Sequence, residues 1–406
     1  MHLLETNTSL NPAQSETKGK LSKTAGYYAA FIGLGLITAA LGPTLPGLAE
    51  QTQTTLGQIS FLFVARSLGY LFGSFIGGRL YDRVAGHPLI AGLLFMMAVS
   101  AFLVPFMSLL WLLVVVLVMI GIAEATVDVG CNTLVVWVHK DKVGPFMNGL
   151  HFFFGVGAFL SPVIIGQALL LSDGIAWGYW TMALLILPVS LSFLLIPSPP
   201  IQKTAYDGSA RVNKPFLVVL IALFFFFYVG LEVGYGGWIY TYATTLELTS
   251  EANAAYLTSA YWGALTVGRL LSIPIANRLR PRTIIAGDLA GALLSVIVLL
   301  LWPQSLAVVW IGTLGLGLSI ASIFPTMLSL AERNMTVTGQ TTSWFFVGAS
   351  TGGMTVPWLI GQLFEITGPY TVLWASLVGA ILTAVLFSGL LAWVNRSSRQ
   401  SAVALN

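Results

Sequence analysis

The chain has 406 residues, 56% of them hydrophobic and only 8% charged, with a mean hydropathy of +0.86, a composition that a soluble protein of this size does not keep in solution. Its net charge is only +3 and its basic residues sit in short clusters between apolar runs, which excludes a nucleic-acid partner. The single cysteine, Cys131, excludes an internal disulfide, a zinc cluster and a Cys-x-x-Cys redox pair.

A membrane-crossing helix needs ~20 mostly apolar residues. By that rule the chain reads, in order, as twelve spans: 25–48, 56–81, 88–107, 110–138, 146–170, 176–197, 215–244, 252–277, 283–302, 306–330, 341–364 and 370–394. Residues 1–24 are polar and read as a disordered tail with no cleaved leader. The one long polar connection, 198–214, is rich in Pro, Ser, Lys and Asp and divides the chain into six-helix halves at 25–197 and 215–395, with 396–406 as a closing tail.

Cytoplasmic loops carry the excess of Lys and Arg. Sixteen of the eighteen basic residues fall on one side, from Lys18, Lys20 and Lys23 through Arg79, Arg83, Lys140, Lys142, Lys203, Arg211, Lys214, Arg278, Arg280, Arg282 and Arg333 to Arg396 and Arg399. The opposite loops hold Glu50, Asp173, Glu247, Glu251 and Glu365, so both termini and the linker are expected in the cytoplasm. The halves also repeat at one ungapped shift of 195 residues. Gly157, Pro162, Gly166 and Gln167 match Gly352, Pro357, Gly361 and Gln362, while Gly35, Gly73, Gly92 and Asp82-Arg83 match Gly230, Gly268, Gly287 and Asn277-Arg278.

The fourth span carries the chemistry. Glu124, Asp128 and Asn132 are spaced i, i+4, i+8 and form a polar stripe on one helix face. A charge at the bilayer centre costs at least ~2.5 to 3.5 kcal/mol, so these carboxylates must meet a partner or a water-filled path. Arg66, at the depth of Glu124, is expected to pair with it. Asp128, Asn132 and Thr133 then remain as a hard-oxygen cluster that suits a cation; in the alternative, Arg66 neutralises Asp128. The intramembrane tally of Arg66 and Arg269 against Glu124, Asp128, Glu232 and Asp288 leaves two negative charges to be relieved by a bound cation or by protonation. Asp288 reads as structural, paired with Arg269, and His151 as a hydrogen-bonded packing residue.

Two parallel six-helix halves related along the membrane normal are the plan of the major facilitator transporters, which the chain resembles over its whole length. The resemblance implies an all-α membrane protein of twelve transmembrane helices in two pseudo-symmetric bundles, with spans one, four, seven and ten lining a central cavity. Gly78-Arg79-Leu80-Tyr81-Asp82-Arg83 followed by Gly86-His87 is similar to the family's loop between helices two and three, with Ala85 as an extra residue and His87 in place of Arg. The resemblance makes Gly78, Asp82, Arg83 and Gly86 a gating loop, Asp82 meeting the N-terminus of the eleventh span near residues 341–343 when the protein faces outward. Asp128-Val-Gly-Cys-Asn132-Thr and Tyr228-Val-Gly-Leu-Glu232-Val-Gly-Tyr-Gly-Gly-Trp238-Ile-Tyr-Thr-Tyr242 resemble the fucose-permease-like branch, and within it the sodium-dependent glucose transporter-like proteins. Fucose permease carries an acid on helix one; here Leu41-Gly42-Pro43-Thr44-Leu45-Pro46 has none.

Sugars take ring faces to stack on, and amides or carboxylates for their hydroxyls. Tyr235, Trp238, Tyr242, Tyr261 and Trp262 offer the first, and Asn132, Asn148, Gln167, Gln362 and Glu232 the second. Trp111, Trp177 and Trp302 read as interfacial belt residues, Trp238 and Tyr242 toward the outer end of the seventh span as either belt or site, and the sequons at Asn7, Asn334 and Asn395 as chance matches. The sequence-level expectation is a monomeric secondary transporter in the lipid bilayer, with no cofactor beyond a coupling Na+ or H+, moving a sugar-like solute by alternating access. A proton-coupled exporter of amphiphiles and a non-transporting receptor are the competitors. No Walker, His-Glu-x-x-His or Gly-x-Ser-x-Gly motif supports an enzyme.

Overall fold

The computed structural model describes residues 12–172, 174–201 and 214–403. Residues 1–11, 173, 202–213 and 404–406 lie outside them, and with them Asn7, Asp173, Lys203, Arg211 and parts of the expected tails and linker. Fifteen α-helices run through the described residues: α1 Pro12–Thr38, α2 Leu41–Thr52, α3 Leu56–Ile59, α4 Phe61–Tyr81, α5 Gly86–Leu103, α6 Leu110–His139, α7 Val143–Ser172, α8 Ala176–Leu195, α9 Pro215–Thr245, α10 Glu251–Ala276, α11 Pro281–Leu301, α12 Leu306–Ile320, α13 Ile323–Asn334, α14 Gly339–Thr367 and α15 Thr371–Val403.

Each expected span corresponds to one helix or to a consecutive pair. The first is α1 and α2, bent by 47°, because Pro43 lacks the N–H that would bond Ala39 and the ladder opens there. Pro325 does the same to Ala321 between α12 and α13. The first helix begins at Pro12, well inside the stretch expected as a disordered tail. Eight stretches are long and apolar enough to cross a membrane, or nine with the bent pair, and one of these, Leu110–Ser172, holds both α6 and α7. The chain turns between those two at Lys140, whose φ is 48°. Neither α10 nor α14 is among the eight; both lie between the halves, where Arg269 and a Gly, Ser and Thr-rich face meet protein instead of lipid.

The repeat is visible as packing. In the first half α1 packs on α7 and α4 on α6; in the second α9 packs on α14 and α10 on α12. A Cβ at Gly157 would strike the carbonyl of Ile32, and one at Gly352 the carbonyl of Phe226. Gly73 presses on α6 at Ile122 as its repeat mate Gly268 presses on α12 at Leu318. Backbone-to-backbone crossings of this kind need a residue without a side chain, and these glycines are what the 195-residue shift preserves.

The halves meet through α7 with α10, α3 and α4 with α14, and α2 with α9. Their bridging hydrogen bonds sit away from the termini: Gly57 N–H donates to Glu365 at 2.7 Å, Gln362 to the Gly57 carbonyl at 2.7 Å, and Gln167 to the Tyr256 hydroxyl at 2.5 Å. Toward the terminal face the same helices expose Phe75, Ile76, Leu271 and Trp344. The structure is thus closed on the far face and parted on the terminal face.

Candidate functional site

Close packing of α4 on α6 builds the site. Gly121 lies against the Arg66 carbonyl and Gly69 against that of Val118, so the two backbones touch and their polar side chains are forced into reach. Arg66 grips Glu124 with two bonds, Nε to Oε2 at 2.7 Å and Nη2 to Oε1 at 2.9 Å. Thr38, the last residue of α1 before the bend, closes the triangle: it accepts from Arg66 and donates to Glu124, both at 2.9 Å. Glu124 is 1% exposed. A bidentate, fully bonded pair is the form in which a buried charge is tolerable, and loss of either partner strands the other.

One turn toward the termini stands a second rung. Tyr70, four residues after Arg66, donates its hydroxyl to Asp128 Oδ2 at 2.5 Å, and Asn132 donates its amide to Oδ1 at 2.8 Å. Asp128 is partly exposed, and among the described residues no cation pairs with it. Both donors are neutral, so they orient the carboxylate and leave its charge uncompensated. The alternative in which Arg66 neutralises Asp128 finds no support, since Arg66 is committed to Glu124 and Thr38. Thr133 is not part of the cluster: its hydroxyl donates to the Val129 carbonyl at 2.7 Å within the helix. Five residues on from Asp128 it lies ~140° round the helix, off the stripe. Tyr70 and Thr38 escaped the sequence reading, although the i, i+4 spacing of Arg66 and Tyr70 opposite that of Glu124 and Asp128 was a signal for the first.

In the second half Arg269 pairs with Glu232, Nη2 to Oε1 at 3.5 Å. The expected pairing with Asp288 is therefore corrected. The reason is topological: α10 packs on α7, α9 and α12 and barely touches α11, which carries Asp288. Asp288 instead accepts a hydrogen bond from Ser322 at the break between α12 and α13. His151 and Asn148 are exposed, on the α7 face that higher up seats Phe159 on Gly263 of α10. His151 meets Phe31 edge-on, ring centroids 6.0 Å apart, and among the described residues makes no hydrogen bond, so it is not the hydrogen-bonded packing residue expected.

The expected solute-stacking aromatics are all inside protein here. Tyr235, Trp238, Tyr242 and Tyr261 are 0% exposed. Tyr235 bonds Thr313 at 2.7 Å, Trp238 donates to the Pro357 carbonyl at 2.9 Å, Tyr242 to that of Pro303 at 2.6 Å, and Tyr261 to that of Glu232 at 2.8 Å. Trp238 also meets Phe63 of the other half, ring centroids 6.4 Å apart. Gln167 and Gln362, repeat mates in sequence, tie the halves together at the far face. Trp111, Trp177 and Trp302 are exposed, as belt residues are.

A model of the Major Facilitator Superfamily matches residues 27–357. The chain belongs to that superfamily. It is 35% identical to the mouse sodium-dependent glucose transporter 1A, covering 89% of this chain and 94% of that protein, and 34% identical to human sodium-dependent glucose transporter 1, covering 88% and 77%. Among solved structures, a point mutant of the nucleoside transporter NupG superposes with a TM-score of 0.72 at 13% identity, covering 92% of this chain and 99% of that one. A bacterial homolog of the human lysosomal transporter Spinster, in an inward-facing and occupied conformation, gives 0.67 at 14% over 96% and 98%. The chain is accordingly a multi-pass membrane protein of a transporter family.

The loop between the second and third spans, expected to gate, is not docked on α14 among the described residues. Asp82 and Arg83 are exposed, and Asp82 has no side-chain bond to the α14 N-terminus, which is capped by its own Thr338 and Thr341. Arg79 instead lies over the Phe75 ring, 4.2 Å from its centroid. Gly86 is tightly seated on Leu134, whereas a Cβ on Gly78 would meet nothing within 4 Å. His87, where the superfamily pattern has Arg, is 0% exposed; it bonds the Tyr27 hydroxyl at 2.8 Å and the Ile196 carbonyl at 2.9 Å. It therefore anchors the chain where α8 passes into the linker.

Proposed function

We propose that this protein is a secondary active transporter of a sugar or sugar-like polar solute, working by alternating access and coupled to a cation, sodium or proton, taken up at Asp128. The observation that carries the reading is a carboxylate held by Tyr70 and Asn132 at 2.5 and 2.8 Å, partly exposed, with no cationic partner among the described residues. Intramembrane charge of that kind marks an ion path. The Asp128 carboxylate, the Tyr70 hydroxyl and the Asn132 amide supply oxygens for the ion, and the neutral Arg66–Glu124 pair fixes the rung above it. The names of the glucose-transporting relatives favour sugar and sodium.

For the solute, the Glu232–Arg269 pair with Asn148 opposite offers acceptors and donors to hydroxyls on the parted side. Tyr235, Trp238, Tyr242 and Tyr261 form the closed wall beyond them, with Gln167 and Gln362 as its seams. In this reading the bundles at 25–197 and 215–395 rock about the linker, the basic terminal face is cytoplasmic, and one copy suffices. No covalent chemistry takes place. The test is uptake of radiolabelled glucose into proteoliposomes under a sodium, a proton or no gradient. Wild type should accumulate the sugar under one gradient, whereas Asp128→Asn should keep sugar exchange without accumulation. A wild type indifferent to every gradient, or accumulation by Asp128→Asn, overturns the coupling role.

A further inference from the structure

A second, unrelated cavity of about 240 Å³ opens on the terminal face among α11, α13 and α15. Its rim carries Arg280, Arg282 and Arg333, and its apolar wall Leu330, Leu390 and Leu391. All three arginines are exposed, and among the described residues none is engaged in an ion pair. Glu332, beside Arg333 in sequence, forms no ion pair with them among the described residues. Arg280 precedes Pro281 at the start of α11, so the positive end of that helix adds to the same field. Three cations gathered over a greasy floor, Leu390 being 2% and Leu330 8% exposed, are an unusual surface for water alone.

Depth identifies the ligand. Trp393 of α15 meets Phe216 of α9 with ring centroids 6.0 Å apart, and Lys214, two residues before Phe216, bonds the Asn334 carbonyl at 2.7 Å. Aromatic rings at a helix end with lysine just beyond them mark the level where hydrocarbon gives way to headgroups. Basic pockets between transmembrane helices at that level fit acidic headgroups. We propose that this cavity binds an anionic phospholipid, its phosphate between Arg280, Arg282 and Arg333 and its chains against Leu330, Leu390 and Leu391. The site is distinct from the ion path, which lies in the other half.

The test is thermal unfolding of the detergent-solubilised full chain titrated with dioctanoyl phosphatidylglycerol, dioctanoyl phosphatidylcholine or glycerol 3-phosphate. The phosphatidylglycerol should raise Tm saturably and the other two should not. Each arginine near an acidic headgroup is worth about fivefold in affinity. Arg282→Gln alone should therefore weaken binding roughly fivefold, and Arg280→Gln/Arg282→Gln/Arg333→Gln on the order of 100-fold. Lys140→Gln/Lys142→Gln, on the same face outside the cavity, should leave it unchanged. Equal responses to the two lipids in wild type, full affinity in Arg282→Gln, or an equal loss in the lysine variant overturns the proposal. A shift with glycerol 3-phosphate matching that with lipid would assign the site to a soluble phosphate ester and overturn the lipid.

Discussion

Far-face closure rests on few bonds, and two of them converge on Gly57. Glu365 accepts from its N–H at 2.7 Å and Gln362 donates to its carbonyl at 2.7 Å. These bonds join the halves, so they must break for the far face to open, and removing them destabilises only the state seen here. A neutral bond such as that of Gln362 is worth ~0.5 to 1.5 kcal/mol net. An exposed carboxylate at a helix N-terminus, as Glu365 is at the start of α3, adds ~0.3 to 1 kcal/mol. Sharing one partner makes the two contributions less than additive. The double variant Gln362→Ala/Glu365→Ala is thus expected to shift the balance by ~1 to 2 kcal/mol, roughly five- to thirtyfold, toward far-open states. The assay is maleimide labelling of Ala252→Cys in a Cys131→Ala background, in nanodiscs. Ala252 is 4% exposed and its carbonyl lies against Gly166 across the closed seam, so its labelling rate follows the far-open population. A rate equal to that of the parent would show that these bonds do not hold the far face shut and would place the closing energy in the apolar contacts of α7 with α10.

Arg66→Ala should fold poorly, losing more than any other single change in the site, because it strands Glu124 at 1% exposure, a cost of ~3 to 5 kcal/mol; yield and Tm in detergent read it, and Arg66→Ala/Glu124→Ala should recover much of the loss. Tyr70→Phe removes one bond to Asp128 and should weaken the coupling ion by about tenfold with Tm little changed, measured as the sodium or proton concentration for half-maximal uptake. Gly78→Val meets open space in this state and should leave its stability intact, while slowing transport by obstructing closure of the terminal face. Normal transport by Gly78→Val would show that the two faces do not meet there.

The membrane class, the twelve spans and the repeat were legible because each depends on composition along the chain. The polar stripe of Glu124, Asp128 and Asn132 was legible too, since all three lie on one helix. What was hidden depends on how each helix is rotated about its own axis. Most of these helices are apolar on every side, so nothing in their sequence sets that rotation. Arg269 could therefore be placed at the depth of Asp288 yet turn to Glu232. The aromatics of α9 read as a sugar platform, but Tyr235 faces Thr313, Trp238 the Pro357 carbonyl and Tyr242 that of Pro303. Conformational state was likewise beyond the sequence: Asp82 has the same identity whether docked or free.

The two halves share their crossings and differ in their charges. Gly73 and Gly268, or Gly157 and Gly352, stand at equivalent contacts, whereas Arg66 has Tyr261 as its repeat mate and Arg269 has Ser74. Each half places an arginine on its second span, but the first half commits it to Glu124 of the fourth span and the second to Glu232 of the first. Because α6 is continuous, it offers a second acid one turn below the neutralised one. Its counterpart is broken at Ser322, and the acid nearby, Asp288, is taken up in holding the break. Among the described residues, a carboxylate on an unbroken stripe without a cationic partner thus stands on one side of the axis only. In the proposed reading the ion is therefore taken up on that side alone, and Asp128→Asn has no counterpart residue across the axis that would compensate it.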